Sequence, residues 1–321
     1  MKILLVTPAP RGSTKGNRIT AVRWARIIRQ LGHSVLLDTE YRGQACEALI
    51  ALHAVKSSAS VQRFRRERPE APMVVALAGT DMTRDLRPLP AARQTVRAAT
   101  RLIVLQPSGR DALAADERAK TRIIVQSATA PCDQVRRSGR QFDVCVLGHL
   151  RPVKDPLRTA HAARALPSQS RIRILHIGAA LSPEMRQQAV REVERNPRYH
   201  WLGELPHWKA VGTLARCRLL VHTSRHEGGP SALSEAIAAG VPILSTTIPA
   251  VVAVMGRDYP GLFPVAQTRA LTRLLLRAET DGRFYDSLDR WCRSLKPLVD
   301  PEREINAWRS LLDELGQFLR I

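Results

Sequence analysis

A chain of 321 residues with 44% hydrophobic side chains is long enough to fill two ordinary cores, and this excludes a disordered chain. The 50 basic residues outnumber the 29 acidic ones by 21, but the surplus is mostly arginine scattered through nearly every segment and only 4% of residues are aromatic. Neither the basic stripe nor the stacking platform of a nucleic-acid binder is present. Five cysteines (Cys46, Cys132, Cys145, Cys217, Cys292), odd in number and without a C-x-x-C pair, suggest no disulfide framework and no zinc site. The apolar run 3–6 stops at Thr7-Pro8, too short for a signal peptide, and no later run reaches the length of a membrane span, so a soluble, cytoplasmic protein is expected.

Residues 3–6 read as a buried strand, 7–17 as a loop rich in Pro and Gly, and the next segment as an amphipathic helix carrying Ile19, Val22, Ile27, Ile28 and Leu31, stopped at Gly32. A strand at 34–37 completes a βαβ unit, which implies parallel strands joined by a right-handed crossover. Apolar strands at 49–52, 73–77, 102–105 and 123–125, separated by helix-compatible polar segments, complete a doubly wound domain over 1–130. The stretch 126–141 has little periodicity and reads as a linker. A second series, 144–147, 172–176, 199–202, 219–221 and 242–244, builds a second domain over 141–298. The last segment opens at Pro301 and carries Ile305, Trp308, Leu311, Leu312, Leu315 and Phe318 at helical spacing. It predicts a terminal helix, 301–321, packed back near the first domain.

The most informative stretch is 221–242, a strand followed by a glycine turn and a helix. Gly228 and Gly229 let the backbone pass close to a ligand, Pro230 suits a first helical turn, and free amides at the helix start suit an anion such as a diphosphate. Glu227 and Glu235 bracket the turn, and a carboxylate that accepts two hydrogen bonds suits a pair of vicinal hydroxyls. The residues alone also fit a glycine turn and a glutamate that merely stabilises a helix start.

The run Ser224-Arg225-His226-Glu227-Gly228-Gly229, then Glu235-Ala236, then Gly240-Val241-Pro242, resembles the donor-site signature of the retaining family-four glycosyltransferases. The resemblance implies a GT-B fold: α/β, two Rossmann-like doubly wound domains with a cleft between them. It implies that Glu227 contacts the transferred sugar, that Gly228 and Gly229, with Pro230 and Ser231 beside them, meet the sugar and diphosphate, and that Glu235 holds the ribose. The run from Gly148 through His149, Leu150 and Arg151 to Lys154 is similar to the same family's Gly-Arg-Leu-x-x-x-Lys loop. Lys154 matches its diphosphate lysine, His149 stands in place of its arginine, and Arg151 is within reach of the same phosphate. The segment ending at Leu205 resembles the one whose backbone meets the base. Glu227, Lys154 and Arg151 are the expected catalytic residues. No Asp-x-Asp pair occurs, so no metal or other cofactor is expected.

On the acceptor side, the loop after the first strand carries Arg11, Lys15, Gly16, Asn17 and Arg18, that after the third carries His53 and Lys56, and that after the fourth carries Thr80 and Asp81. Strand ends are where ligands gather in open parallel sheets, although a plain βα loop, a structural histidine and a turn-capping aspartate fit the same residues. Runs across most of the chain, among them 53–58, 79–81, 148–156 and 199–203, resemble the selenosugar synthases of selenoneine biosynthesis. That resemblance implies transfer of a sugar from UDP-N-acetylglucosamine or UDP-glucose to selenophosphate. Alternative readings are an ordinary family-four transferase with a hydroxyl acceptor, a UDP-sugar 2-epimerase and, last, a nucleic-acid-binding module. The sequence leaves the oligomeric state open.

Overall fold

In the computed structural model, residues 1–13, 16–79, 81, 89–111, 113–130 and 139–319 are described. The chain forms two compact units: Met1–Gln126 with Glu227–Gly229 and Glu302–Ile321, and Ser127–His226 with Pro230–Pro301. Each is a parallel α/β unit of the Rossmann type.

The first unit contains β1 (Lys2–Val6), α1 (Gly16–Gln30), β2 (Ser34–Asp38), β3 (Ala48–Leu52), α2 (Ser58–Glu67), β4 (Met73–Leu77), α3 (Pro90–Ala98), β5 (Arg101–Val104), α4 (Ala115–Ala119) and β6 (Thr121–Ile123). All its strands are parallel, in the order β2-β1-β3-β4-β5-β6. The sheet is covered on both faces, which is why its strands are continuous apolar runs rather than alternating ones. Ile3 and Leu5 of β1 point into a core shared with Trp24 and Trp308, while Leu4 and Val6 point into one shared with Phe64 and Val96. The sixth strand starts two residues before the expected 123–125, because its pairing with β5 begins at Thr121.

The face of α1 is the expected one at Ile27 and Ile28, which are buried, and differs from it in the first turns. Ile19 and Val22 are about half exposed, at 51% and 49%, and the buried stripe runs through Ala21, Trp24, Ala25 and Ile28. That stripe has helical i, i+3, i+4, i+7 spacing centred on Trp24, whose bulk faces the terminal helix and turns the two β-branched residues outward. Gln126, placed by its polarity in the linker, is buried and donates to Thr20 Oγ1 at 2.6 Å.

The second unit contains β7 (Phe142–Leu147), α5 (Arg158–Arg164), β8 (Ile172–Ile177), α6 (Pro183–Arg195), β9 (Tyr199–Trp201), α7 (His207–Arg216), β10 (Leu219–His222), α8 (Ser231–Ala239), β11 (Ile243–Thr246), α9 (Pro249–Met255), β12 (Leu262–Phe263), α10 (Thr268–Thr280) and α11 (Gly282–Ser294). Its parallel order is β12-β11-β10-β7-β8-β9. The two-residue β12 and the helices α9 to α11 escaped the strand-by-strand reading; β12 is too short to show a period.

The terminal helix α12 (Pro301–Phe318) belongs, from Glu302 on, to the first unit. Trp308 meets Trp24 edge to face at 4.9 Å between centroids, and Ile305, Leu311, Leu312 and Leu315 fill the same core. Glu304, fully buried, accepts from Trp24 Nε1 at 3.2 Å and lies 3.1 Å from Arg23 Nε. A buried carboxylate that accepts from a buried donor is a lock; removing it leaves the indole N–H without this acceptor. Glu304→Ala should lower unfolding stability by about 2 kcal/mol in denaturant titration, and Glu304→Gln, which keeps an acceptor for Trp24, by less. Equal stability of Glu304→Ala and the wild type would show that α12 is held by its apolar face alone.

Candidate functional site

In the second sheet β7 has β8 on one side and β10 on the other. The chain leaves β7 toward β8 and β9, then returns to build β10 to β12 on the opposite side. The connections leaving the carboxyl ends of β7 and β10 therefore lead to opposite sides of the sheet, the topological switch point at which open α/β sheets bind ligands. Those two loops contain Gly148 to Asp155 and Thr223 to Pro230.

Backbone and side-chain bonds tie the two loops together. Thr223 Oγ1 donates to the carbonyls of Lys154 at 2.8 Å and Asp155 at 3.0 Å, and the Arg225 amide donates to the Val153 carbonyl at 2.8 Å. Asp155, left-handed at φ 46°, ends the 3₁₀ turn Pro152–Lys154 and pairs with Arg158 at 2.9 Å. The Ser224 carbonyl accepts from Thr246 Oγ1 at 2.6 Å, which anchors the other loop to β11. Lys154 and Ser224 are thus brought to one place, and Arg151 stands exposed beside them.

The β7 loop is also pinned from the β8 side. His176 is fully buried, with Nε2 3.1 Å from the Gly148 carbonyl and Nδ1 2.9 Å from the Tyr199 hydroxyl. A carbonyl only accepts, so Nε2 carries the proton and Nδ1 accepts from tyrosine; the ring is neutral. Burial pushes its pKa down to about 4, against the pull of the Gly148 carbonyl, and burial likewise raises the Tyr199 hydroxyl. Gly178, at φ 153°, closes the contact, since a β-carbon there would stand 2.1 Å from the Gly148 oxygen. His149 Nδ1 accepts from the Ala179 amide at 3.1 Å, which ties the β7 loop to the end of β8.

Downstream of β10, Pro230 is the N-cap of α8, one position before the first turn, and no side chain caps that helix. The helix presses on the sheet through Ala232, Leu233, Ala236 and Ile237 and stops at Gly240 in the left-handed region at φ 65°. Neither Gly228 nor Gly229 has positive φ, so the turn uses their lack of a side chain rather than their conformational freedom. Ser231 is exposed, Glu227 and Glu235 are partly covered, and Leu205 lies partly covered after a left-handed turn at Gly203, φ 68°.

The first sheet has its own switch point, between β1 and β3. Arg11 and Gly16 are exposed and Asn17 and Arg18 partly covered at the end of β1, and Lys56 is exposed at the end of β3. His53, left-handed at φ 74°, and Asp81 are buried together, with Nδ1 3.8 Å from Oδ2. Both Asp81 oxygens also accept backbone amides, from Ala54 at 2.9 Å and Gly79 at 2.8 Å. Burial pushes the Asp81 carboxyl up, opposed first by His53 and then by those amides. The pair braces two loops, and Lys56 is the exposed group among the three. Lys15 and Thr80 lie outside the described residues.

Among the described residues no cluster of three His, Cys, Asp or Glu could hold a metal ion, and no helix is long and apolar enough to cross a membrane. His176, Tyr199 and Thr223 were absent from the sequence-based site. The one signal that could have found His176 is an imidazole next to the carboxyl end of a mostly apolar strand.

Two parallel-sheet Rossmann-like units with these switch points define the GT-B fold class of glycosyltransferases. Residues 133–292 match the family model described as glycosyl transferases group 1. "Glycosyltransferase 1 domain-containing protein 1" of Xenopus tropicalis is 24% identical over 92% of this chain and 93% of its own length. Among solved structures, sucrose-phosphate synthase from Thermosynechococcus elongatus superposes with a TM-score of 0.79 at 15% identity, covering 99% of each chain. HepE of Anabaena, solved with UDP and glucose, gives 0.73 at 15% identity, covering 99% of this chain and 100% of its own.

The unfolded His176 titrates near 6.5 and the folded one near 4, so between these values the unfolded chain holds the extra proton. Its contribution is complete above 6.5 and is lost as pH falls toward 4. Unfolding free energy of the wild type should drop by roughly 1 kcal/mol per pH unit more than that of His176→Gln between pH 6 and 5. Parallel pH profiles would show that His176 is not held neutral.

Proposed function

We propose that this protein transfers a sugar from UDP-N-acetylglucosamine or UDP-glucose to selenophosphate, without a metal, and so makes a 1-seleno-sugar for selenoneine biosynthesis. The observation that carries the donor half is the joining of Lys154 and Ser224 by Thr223 and Arg225 at the β7/β10 switch point. HepE, with UDP and glucose in its structure, supports a uridine donor for this fold.

In this reading Lys154, Arg151, the His149 ring and the first amides of α8 receive the diphosphate, Glu227 faces the sugar, and Glu235 takes the ribose hydroxyls. The acceptor rests on the second resemblance and on the cationic groups Arg11, Arg18 and Lys56 around the β1/β3 switch point, which suit a phosphate-bearing nucleophile. A selenophosphate selenium is already anionic, so attack needs no general base. The Se–C1 bond forms as the C1–O bond to UDP breaks, the electron pair leaving on the diphosphate. Water then takes the phosphoryl group and frees the seleno-sugar. Positive groups placed before the reaction stabilise the leaving UDP without reorganising.

Incubation with a UDP-sugar and selenophosphate in the presence of EDTA should release UDP and give a selenium-bearing sugar by mass spectrometry. Transfer only to hydroxyl acceptors would contradict the selenium assignment; isomerisation of the donor without an acceptor would contradict transfer altogether.

A further inference from the structure

Glu235 has a partner that the resemblance does not supply. His207 opens α7, and its Nε2 stands 3.1 Å from Glu235 Oε1. The imidazole is largely open and the carboxylate mostly covered, with side-chain exposures of 70% and 17%. An ionised carboxylate only accepts, so Nε2 carries the proton, a condition met by the neutral Nε2–H tautomer and by the imidazolium alike. The bond joins the helix after β9 to the helix after β10. Its geometry is set by packed elements rather than by a loose loop: α7 leans on α8, its buried face being Ala210, Val211, Leu214 and Ala215.

We infer that His207 is a positioning residue for ribose recognition: by fixing the Glu235 carboxylate it sets selectivity for ribonucleotides over 2′-deoxyribonucleotides. The inference rests on the donor reading above. A carboxylate offers about four acceptor positions, and one of them is engaged by His207 while the others face two vicinal hydroxyls. Ordering the long glutamate side chain before the ligand arrives removes a cost otherwise met on binding. The gain is realised only by a ligand presenting both hydroxyls, so His207 acts on ribose selectivity and not on the grip on the diphosphate.

Calorimetric titration of UDP and 2′-deoxy-UDP into the wild type, His207→Ala, His207→Gln and Glu235→Ala separates the outcomes. The wild type should prefer UDP. His207→Ala should lose about fivefold in UDP affinity, the scale of one hydrogen bond, with little change toward 2′-deoxy-UDP, so the preference shrinks toward that of Glu235→Ala. His207→Gln should keep the preference, because its amide nitrogen replaces Nε2. An unchanged preference in His207→Ala, with UDP still bound, overturns the role of His207 and leaves the donor site standing. Tighter UDP binding by His207→Ala also overturns it, by making the bond a competitor of the ribose. A wild type that binds neither nucleotide overturns the donor reading, and this inference with it.

Discussion

Parallel strands cannot be joined by tight turns, and a right-handed crossover must carry the chain over the sheet each time a strand is added. A sheet that grows first to one side and then to the other therefore contains one pair of neighbours whose outgoing loops diverge. In the second unit that pair is β7 and β10. Everything assigned to the nucleotide depends on this gap, because it places the loop bearing Lys154 opposite the segment that begins α8. The cross-bonds of Thr223, Arg225 and His176 hold these loops in place.

The fixed groups around the gap share a chemical logic. Backbone carbonyls near the loops are already occupied by internal donors, such as His176 on Gly148 and Thr223 on Lys154 and Asp155. Beside them stand the first amides of α8, which no side chain caps, and the exposed Arg151. An anion is the natural guest of such a surface. His149 is held in the same way, its Nδ1 accepting from the Ala179 amide.

Strand positions were readable from the sequence because buried parallel strands are short apolar runs, and the second series of strands was found in full except for β12. The order of strands was not readable, since hydrophobic pattern fixes which segments are buried and says nothing about which lie side by side. The inner face of α1 was read correctly at Ile27 and Ile28 and misread in its first turns, because Ile19 and Val22 outweigh Ala21 and Ala25 by hydrophobicity, whereas the stripe there is set by Trp24 meeting Trp308 from the far end of the chain. The donor residues came from motif resemblance. Glu235 was singled out in this way and its partner His207 was not, because a bond between two separate helices leaves no spacing to read. His53 and Asp81 were picked out by their place at strand ends, but their burial and bonding to loop backbone emerge only in the fold.

Amide hydrogen exchange of the wild type with and without UDP tests most directly whether the β7/β10 gap is the nucleotide site. Slowed exchange centred on residues 148–155 and 223–235 is the expected result. Slowing centred instead on the ends of β1 and β3, with those two segments unchanged, would contradict it.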